Sequence, residues 1–167
     1  LLNKLIEMGG DIQVFNHSAF GKEPVADINV KSSFLNSCEV TADDVPNLID
    51  ELPILFIASC FADGISSFNE IEELKHKESD RLKAMQNGLD KMKIKHFLDG
   101  NVFCIEGMGK SYKIPNFLAE TYYDHRIAMS FAIAGLNSNS SIEIASPESI
   151  NTSFPEFVEL GKKLGCN

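Results

Sequence analysis

The chain of 167 residues carries 24 Asp and Glu against 15 Lys and Arg, a formal net charge of −9 with pI near 4.9, and that excess of acid excludes a broad phosphate-neutralising surface for nucleic acid. With 44% hydrophobic residues, no run of about 18 apolar residues and no basic-then-apolar opening, the composition is that of one soluble globular domain with a real core, neither membrane-bound nor secreted. The four cysteines, Cys38, Cys60, Cys104 and Cys166, are far apart and lack CxxC or Cys/His spacing, so they read as buried apolar residues or free thiols of a reducing cytoplasm, with no metal site and no disulfide framework.

Leu1, Leu2, Leu5, Ile6 and Met8 fall at helical spacing and end at Gly9-Gly10. The chain is therefore expected to open inside an amphipathic helix, as a fragment does. Short strands are expected at Ile12 to Phe15, Ile28 to Lys31 and Cys38 to Thr41, separated by turns such as Gly21-Lys22-Glu23-Pro24. A long apolar helix is predicted from Val45 or Pro53 to Phe61, closed by Asp63-Gly64, and then a strand over Ile65 to Ile71. A second helix is predicted from Lys77 to Met92 with Leu82, Met85, Leu89 and Met92 as its apolar stripe. Strands Ile94 to Leu98 and Val102 to Glu106 should turn through Asp99-Gly100-Asn101. A helix His125 to Leu136, a strand Ser141 to Ala145 and a last helix at about residues 154–164 complete the pattern.

Two helix ends, Asn3 to Met8 and Asn87 to Met92, resemble each other, and Asp50 and Asp124 each precede an apolar helix, a small-residue turn and a strand. This weak repeat points to an α/β chain of tandem units at about residues 1–75 and 76–150.

Charged side chains are usually solvated surface, but two clusters resist that reading. In His76-Lys77-Glu78-Ser79-Asp80-Arg81 the spacing predicts Lys77, Glu78 and Arg81 on one side of a first helical turn. A capping arrangement with intrahelical ion pairs accounts for Glu78 and Asp80, whereas Lys77 and Arg81 oppose the macrodipole unless an anion is held there. Asp124-His125-Arg126 repeats the logic, with Asp124 as the cap and His125 and Arg126 in the first turn. Asp50-Glu51 ahead of Leu52-Pro53 is explained by capping alone.

Lys77-Glu78-Ser79-Asp80-Arg81-Leu82 and Asp124-His125-Arg126-Ile127-Ala128-Met129 resemble two signatures of the 5-enolpyruvylshikimate-3-phosphate synthases, in order and at about the right separation. Ile49 to Leu55 resembles the segment before the family's central helix, and Thr152-Ser153-Phe154-Pro155 resembles its C-terminal segment, so the similarity spans essentially the whole chain. One departure is Thr152, where some members carry Lys; a more divergent bacterial branch also has Thr there. The resemblance implies an enolpyruvyl transferase-like fold of two lobes, each built from repeated βαβαββ units as an inside-out α/β barrel. This chain would supply an incomplete C-terminal lobe, the missing N-terminal lobe being its partner across the cleft.

The resemblance further implies transfer of an enolpyruvyl group from phosphoenolpyruvate to the 5-hydroxyl of shikimate 3-phosphate, with no cofactor or metal. By matching position, Asp50 would accept the hydroxyl proton and Glu78 would handle the proton at C3. Lys77 would meet shikimate 3-phosphate and the reacting centre, Arg81 and Arg126 would clamp phosphoenolpyruvate, and His125 would lie beside its phosphate. On this reading Lys77→Ala and Arg81→Ala cost activity with little loss of fold. A related transferase acting on UDP-N-acetylglucosamine, and a non-catalytic α/β binding module, are the competing readings.

Overall fold

The computed structural model describes residues 1–137 and 141–163. Helix α1 (Leu2–Glu7) ends as expected at Gly9, whose φ of 95° is left-handed and favours glycine; the N–H groups of Gly9 and Gly10 return to the Ile6 and Leu5 carbonyls, closing the helix. The next two strands are longer than their sequence pattern suggests. β1 (Asp11–Phe20) and β2 (Glu23–Lys31) form one antiparallel hairpin. Its alternation is broken between Phe15 and Ser18, where the register shifts and Asn16 takes φ 52°, a bulge that hides the strand from a period-2 search.

Short strands β3 (Leu35–Asn36) and β4 (Glu39–Val40) lead into α2 (Val45–Leu48) and α3 (Leu52–Cys60). Of the two starts left open, Pro53 matches α3, and Val45 opens a separate short helix, the two being parted at Ile49-Asp50-Glu51. Pro53 causes the break: it has no N–H to return to the Ile49 carbonyl, and its ring would collide with that carbonyl in a continuous helix. The turn so produced carries Asp50.

β5 (Ala62–Asp63) and β6 (Ile65–Phe68) follow. β6 stops short of Ile71 because Glu70 adopts φ 52° and a 3-10 helix, Ile71–His76, begins. Helix α4 (Arg81–Lys91) is capped by Asp80, which accepts from the Lys83 N–H. The expected start at Lys77 is therefore too early: Lys77 is extended, at φ −92° and ψ −158°, and of the three charged residues assigned to a first turn only Arg81 is helical. The apolar stripe Leu82, Met85, Leu89 and Met92 is buried as expected.

β7 (His96–Asp99) and β8 (Val102–Glu106) form the predicted hairpin through Gly100, at φ 60°. After β9 (Phe117–Ala119) come α5 (His125–Gly135), β10 (Ile142–Ile144), a 3-10 helix Pro147–Thr152 and α6 (Phe157–Lys163). β9, only three residues long and preceded by Pro115, carries too little periodicity to be read from the sequence. The expected helix end at Leu164-Gly165, and Cys166, lie outside the described residues.

A four-stranded sheet in the order β4-β6-β8-β7 joins parallel and antiparallel pairs. It is a βαβαββ arrangement over residues 39–106 and crosses the 75/76 boundary between the expected tandem units. α5 connects β9 to β10, which pair in parallel. α3 is buried on nearly every side, which is why its sequence is apolar all round and not striped. Phe56 of α3 meets Phe68 and Phe103 of the sheet, with ring centroids 4.6 and 5.3 Å away. A helix thus lies at the centre with strands outside it, and the N-terminal ends of α3, α4 and α5 come together at one edge of this core.

Candidate active site

Asp50 enters the site from the α2–α3 turn, Lys77, Glu78 and Arg81 from the approach to α4, and Arg126 from the first turn of α5. Arg81 joins them. Its Nη1 donates to Asp50 Oδ1 at 2.8 Å, its Nη2 donates to Glu78 Oε2, and its Nε donates to Asp124 Oδ2 at 2.8 Å. The Arg81 and Asp124 side chains both have 0% exposure.

Lys77 Nζ lies 3.6 Å from the same Asp50 Oδ1, so the two cations meet on one carboxylate although they do not share a helical turn. Arg126 Nη1 donates to the Asp50 carbonyl at 3.0 Å and to Glu51 Oε1 at 3.2 Å, and its Nη2 lies 4.0 Å from Asp50 Oδ2. Beside Arg126 a pocket of ≈ 240 Å³ is walled by Ile54, Met129, Ile133, Phe154 and Phe157. His125 is half-buried at the start of α5, and its ring makes no hydrogen bond to another described residue.

Asp124 is the α5 cap that the sequence predicts, accepting from the Arg126 and Ile127 N–H groups. Its other oxygen takes Ser79 Oγ at 3.1 Å as well as Arg81 Nε. Asp124 therefore ties the start of α4 to the start of α5. Nothing local announces that role, because Arg81 is 43 positions away. Tyr122 and Tyr123, just ahead of it, both take left-handed φ, 53° and 60°, a conformation costly for non-glycine residues and concentrated at functional sites.

Arg81 corrects one expectation. A cation in the first turn of α4 does require an anion, but protein carboxylates supply it. In this arrangement no ligand oxygen reaches the guanidinium unless Glu78 or Asp50 turns aside. Nor is Arg81→Ala a change with little effect on the fold, since it leaves a fully buried Asp124 carboxylate without its cation.

The charges fix protonation. Partial burial alone raises the proton affinity of Asp50, but the Arg81 hydrogen bond and the charges of Lys77, Arg126 and Arg81 outweigh it and hold the carboxyl below its ordinary range. Lys77 is pushed up by its hydrogen bond to Glu73, against a desolvation penalty and with help from Asp50. Burial disfavours the Arg81 charge, and Asp124, Glu78 and Asp50 overcome that penalty. At neutral pH the site is an ionised carboxylate–ammonium–guanidinium cluster, with Asp50 free of its proton and Lys77, Arg81 and Arg126 as its cations.

The family model described as EPSP synthase (3-phosphoshikimate 1-carboxyvinyltransferase) matches residues 1–160. The chain belongs to the EPSP synthase family. It is 43% identical over 159 residues to the 3-phosphoshikimate 1-carboxyvinyltransferase of Aquifex aeolicus, a match covering 93% of this chain and 36% of that protein. An EPSP synthase structure from Acinetobacter baumannii superposes with TM-score 0.91 at 40% identity, covering 97% of this chain and 38% of that one. The enolpyruvyl transferase NikO from Streptomyces tendae shares the fold, with TM-score 0.66 at 18% identity. The chain thus spans little more than a third of the EPSP synthases it matches, and the enolpyruvyl transferase-like α/β fold is shared across the matched part. Among the described residues no helix is long and apolar enough to cross a membrane.

Proposed function

We propose that the full-length protein containing this chain transfers the enolpyruvyl group of phosphoenolpyruvate to the 5-hydroxyl of shikimate 3-phosphate in the cytoplasm, releasing phosphate. The chain contributes most of a C-terminal lobe and one wall of the cleft. What supports the reading is the convergence of Asp50, Lys77, Glu78, Arg81 and Arg126 from separate segments onto one cluster, in a chain of the EPSP synthase family.

The reaction is an addition followed by an elimination. The 5-hydroxyl oxygen bonds to C2 of phosphoenolpyruvate while C3 gains a proton, giving a tetrahedral intermediate. C3 then loses a proton, the C2–O bond to phosphate breaks, and the enol ether and phosphate leave. Asp50, already ionised, accepts the hydroxyl proton. Entry of two polyanions draws Lys77 and Arg126 toward the substrates while Asp50 turns from Arg81 to the hydroxyl, which raises the proton affinity of Asp50 toward what a base requires. Glu78, which must take up a proton as it turns from Arg81, delivers it to C3 in the addition and takes one back in the elimination, while the proton held by Asp50 leaves with the departing phosphate.

Lys77 lies between shikimate 3-phosphate and the reacting carbon. Arg126, on the accessible side, receives the phosphoenolpyruvate carboxylate, and Arg81 joins it once Glu78 and Asp50 turn to their reacting atoms. His125 stands beside the phosphate.

The test is phosphate release by the full-length protein with phosphoenolpyruvate and each acceptor. Release that requires shikimate 3-phosphate supports the reading, release only with UDP-N-acetylglucosamine transfers the chain to the competing activity, and no release with either overturns both. The 167-residue chain alone is expected to release none, because it forms a single wall of the site.

A further inference from the structure

Lys77 has two carboxylates within reach and bonds to only one. Its Nζ lies 2.5 Å from Glu73 Oε1 and 3.6 Å from Asp50 Oδ1. Glu73 stands one turn earlier, on the 3-10 helix Ile71–His76, which packs against α4 and is anchored by buried Ile71 and Leu74. Lys77 itself is the extended residue that ends this helix, four residues after Glu73, which puts the two side chains in contact. The side chain is only 19% exposed, whereas that of Glu73 is 62% exposed. Glu72, the neighbouring acid, is occupied by Lys75 at 2.5 Å.

A lysine stem has four rotatable bonds, and an ammonium this close to Asp50 is drawn onto it. Such a collapse would neutralise Asp50 and weaken it as a proton acceptor. Building on the function proposed above, we propose that Glu73 is the positioning residue for Lys77, tethering the ammonium at the mouth of the site and off the Asp50 carboxylate. Glu73 touches neither substrate nor reacting atom; it acts through Lys77.

The groups that face this pair are known from every adjoining element. Asp50 is faced by Lys77, by Arg81 of α4 and by Arg126 of α5. Glu78 lies across Arg81, and Glu51 across Arg126. Of these contacts, losing Glu73 directly releases only the Lys77 ammonium.

The experiment compares Glu73→Ala, Glu73→Gln and, as a control, Glu72→Gln in the full-length protein, reading the pH profile of enolpyruvyl transfer and the melting temperature. With Glu73→Ala, Lys77 settles on Asp50. The acid limb of kcat/KM, which reports the free enzyme, moves to lower pH by about half a unit, and the plateau of kcat/KM falls about fivefold because the substrates must first draw Lys77 off Asp50. Glu73→Gln keeps an acceptor of equal reach and gives a smaller change of the same sign, Glu72→Gln gives none, and all three melt within about 2 °C of the parent, as for an exposed ion pair.

An acid limb that stays in place or moves upward in Glu73→Ala overturns the proposal, whatever happens to kcat, and reduces Glu73 to a surface ion pair or structural support. These outcomes are read only against a parent that transfers enolpyruvate. A parent with no transfer removes the functional reading itself, and the proposal with it.

Discussion

Arg81 Nε donates to Asp124 Oδ2 across 2.8 Å between two side chains with no exposed surface. The bond crosses from the start of α4 to the start of α5 and fixes the guanidinium plane, so the other two nitrogens face Asp50 and Glu78. A buried pair of this kind is not in itself a large net stabiliser, but removing one partner strands a charge and costs about 3–5 kcal/mol. Arg81→Ala and Asp124→Ala are each expected to lose about that much in urea unfolding of the full-length protein. The double variant should lose clearly less than the sum, because the second removal takes away the stranded charge.

Lys77 should behave differently. Its carboxylate partners Asp50 and Glu73 are 44% and 62% exposed, so Lys77→Met should change stability by less than about 1 kcal/mol. Its loss should instead appear as a drop in kcat/KM of about a hundredfold or more, the scale of removing a charge that acts on developing negative charge. Paired unfolding curves and steady-state rates on one preparation check both halves.

The depressed proton affinity of Asp50 carries a sign for stability against pH. A carboxyl whose folded value lies below its unfolded value of 3.8 contributes stability that is fully present above the unfolded value. That contribution is lost as pH falls through the folded value. Asp50→Asn should therefore flatten the acid side of the stability profile below about pH 4 while leaving the profile between pH 6 and 8 parallel to that of the parent. Urea midpoints measured across both ranges decide it.

Gly88 sets the approach of α4 to α5. A Cβ there would lie 1.9 Å from Phe131 Cζ and 2.4 Å from Cε1, and Phe131 is itself fully buried. Gly88→Ala should cost about 1–3 kcal/mol by overpacking despite its better helix propensity. Phe131→Leu in the same chain should recover part of that loss, and the double-mutant cycle reports the coupling.

Much of this was legible because the signals were local. The stripe of α4, the Asp124 cap, the Gly9 stop and the Gly100 turn each depend on residues within a few positions of one another, and the structure has them where the sequence puts them. Pro53 in a first turn marked the start of α3, but the apolar run did not show that Val45 opens a separate short helix before it. The start of α4 was misjudged because a 3-10 helix and an extended Lys77 intervene, which periodicity does not encode. The network around Arg81 was legible only in its local part, the i,i+3 pair with Glu78; its other partners, Asp50 and Asp124, are brought to it by tertiary packing. The charges were legible as a cluster with one local ion pair, but not the pairing of Arg81 with carboxylates from distant segments.

The central claim is that Asp50 and Glu78 perform the proton transfers of enolpyruvyl transfer. The most direct measurement is single-turnover formation of the enolpyruvyl product by full-length Asp50→Asn and Glu78→Gln at saturating phosphoenolpyruvate and shikimate 3-phosphate. Each rate is expected to fall about 10²–10⁴-fold, with both substrates still bound. Rates within threefold of the parent for both variants would contradict the account and move the proton chemistry to other residues.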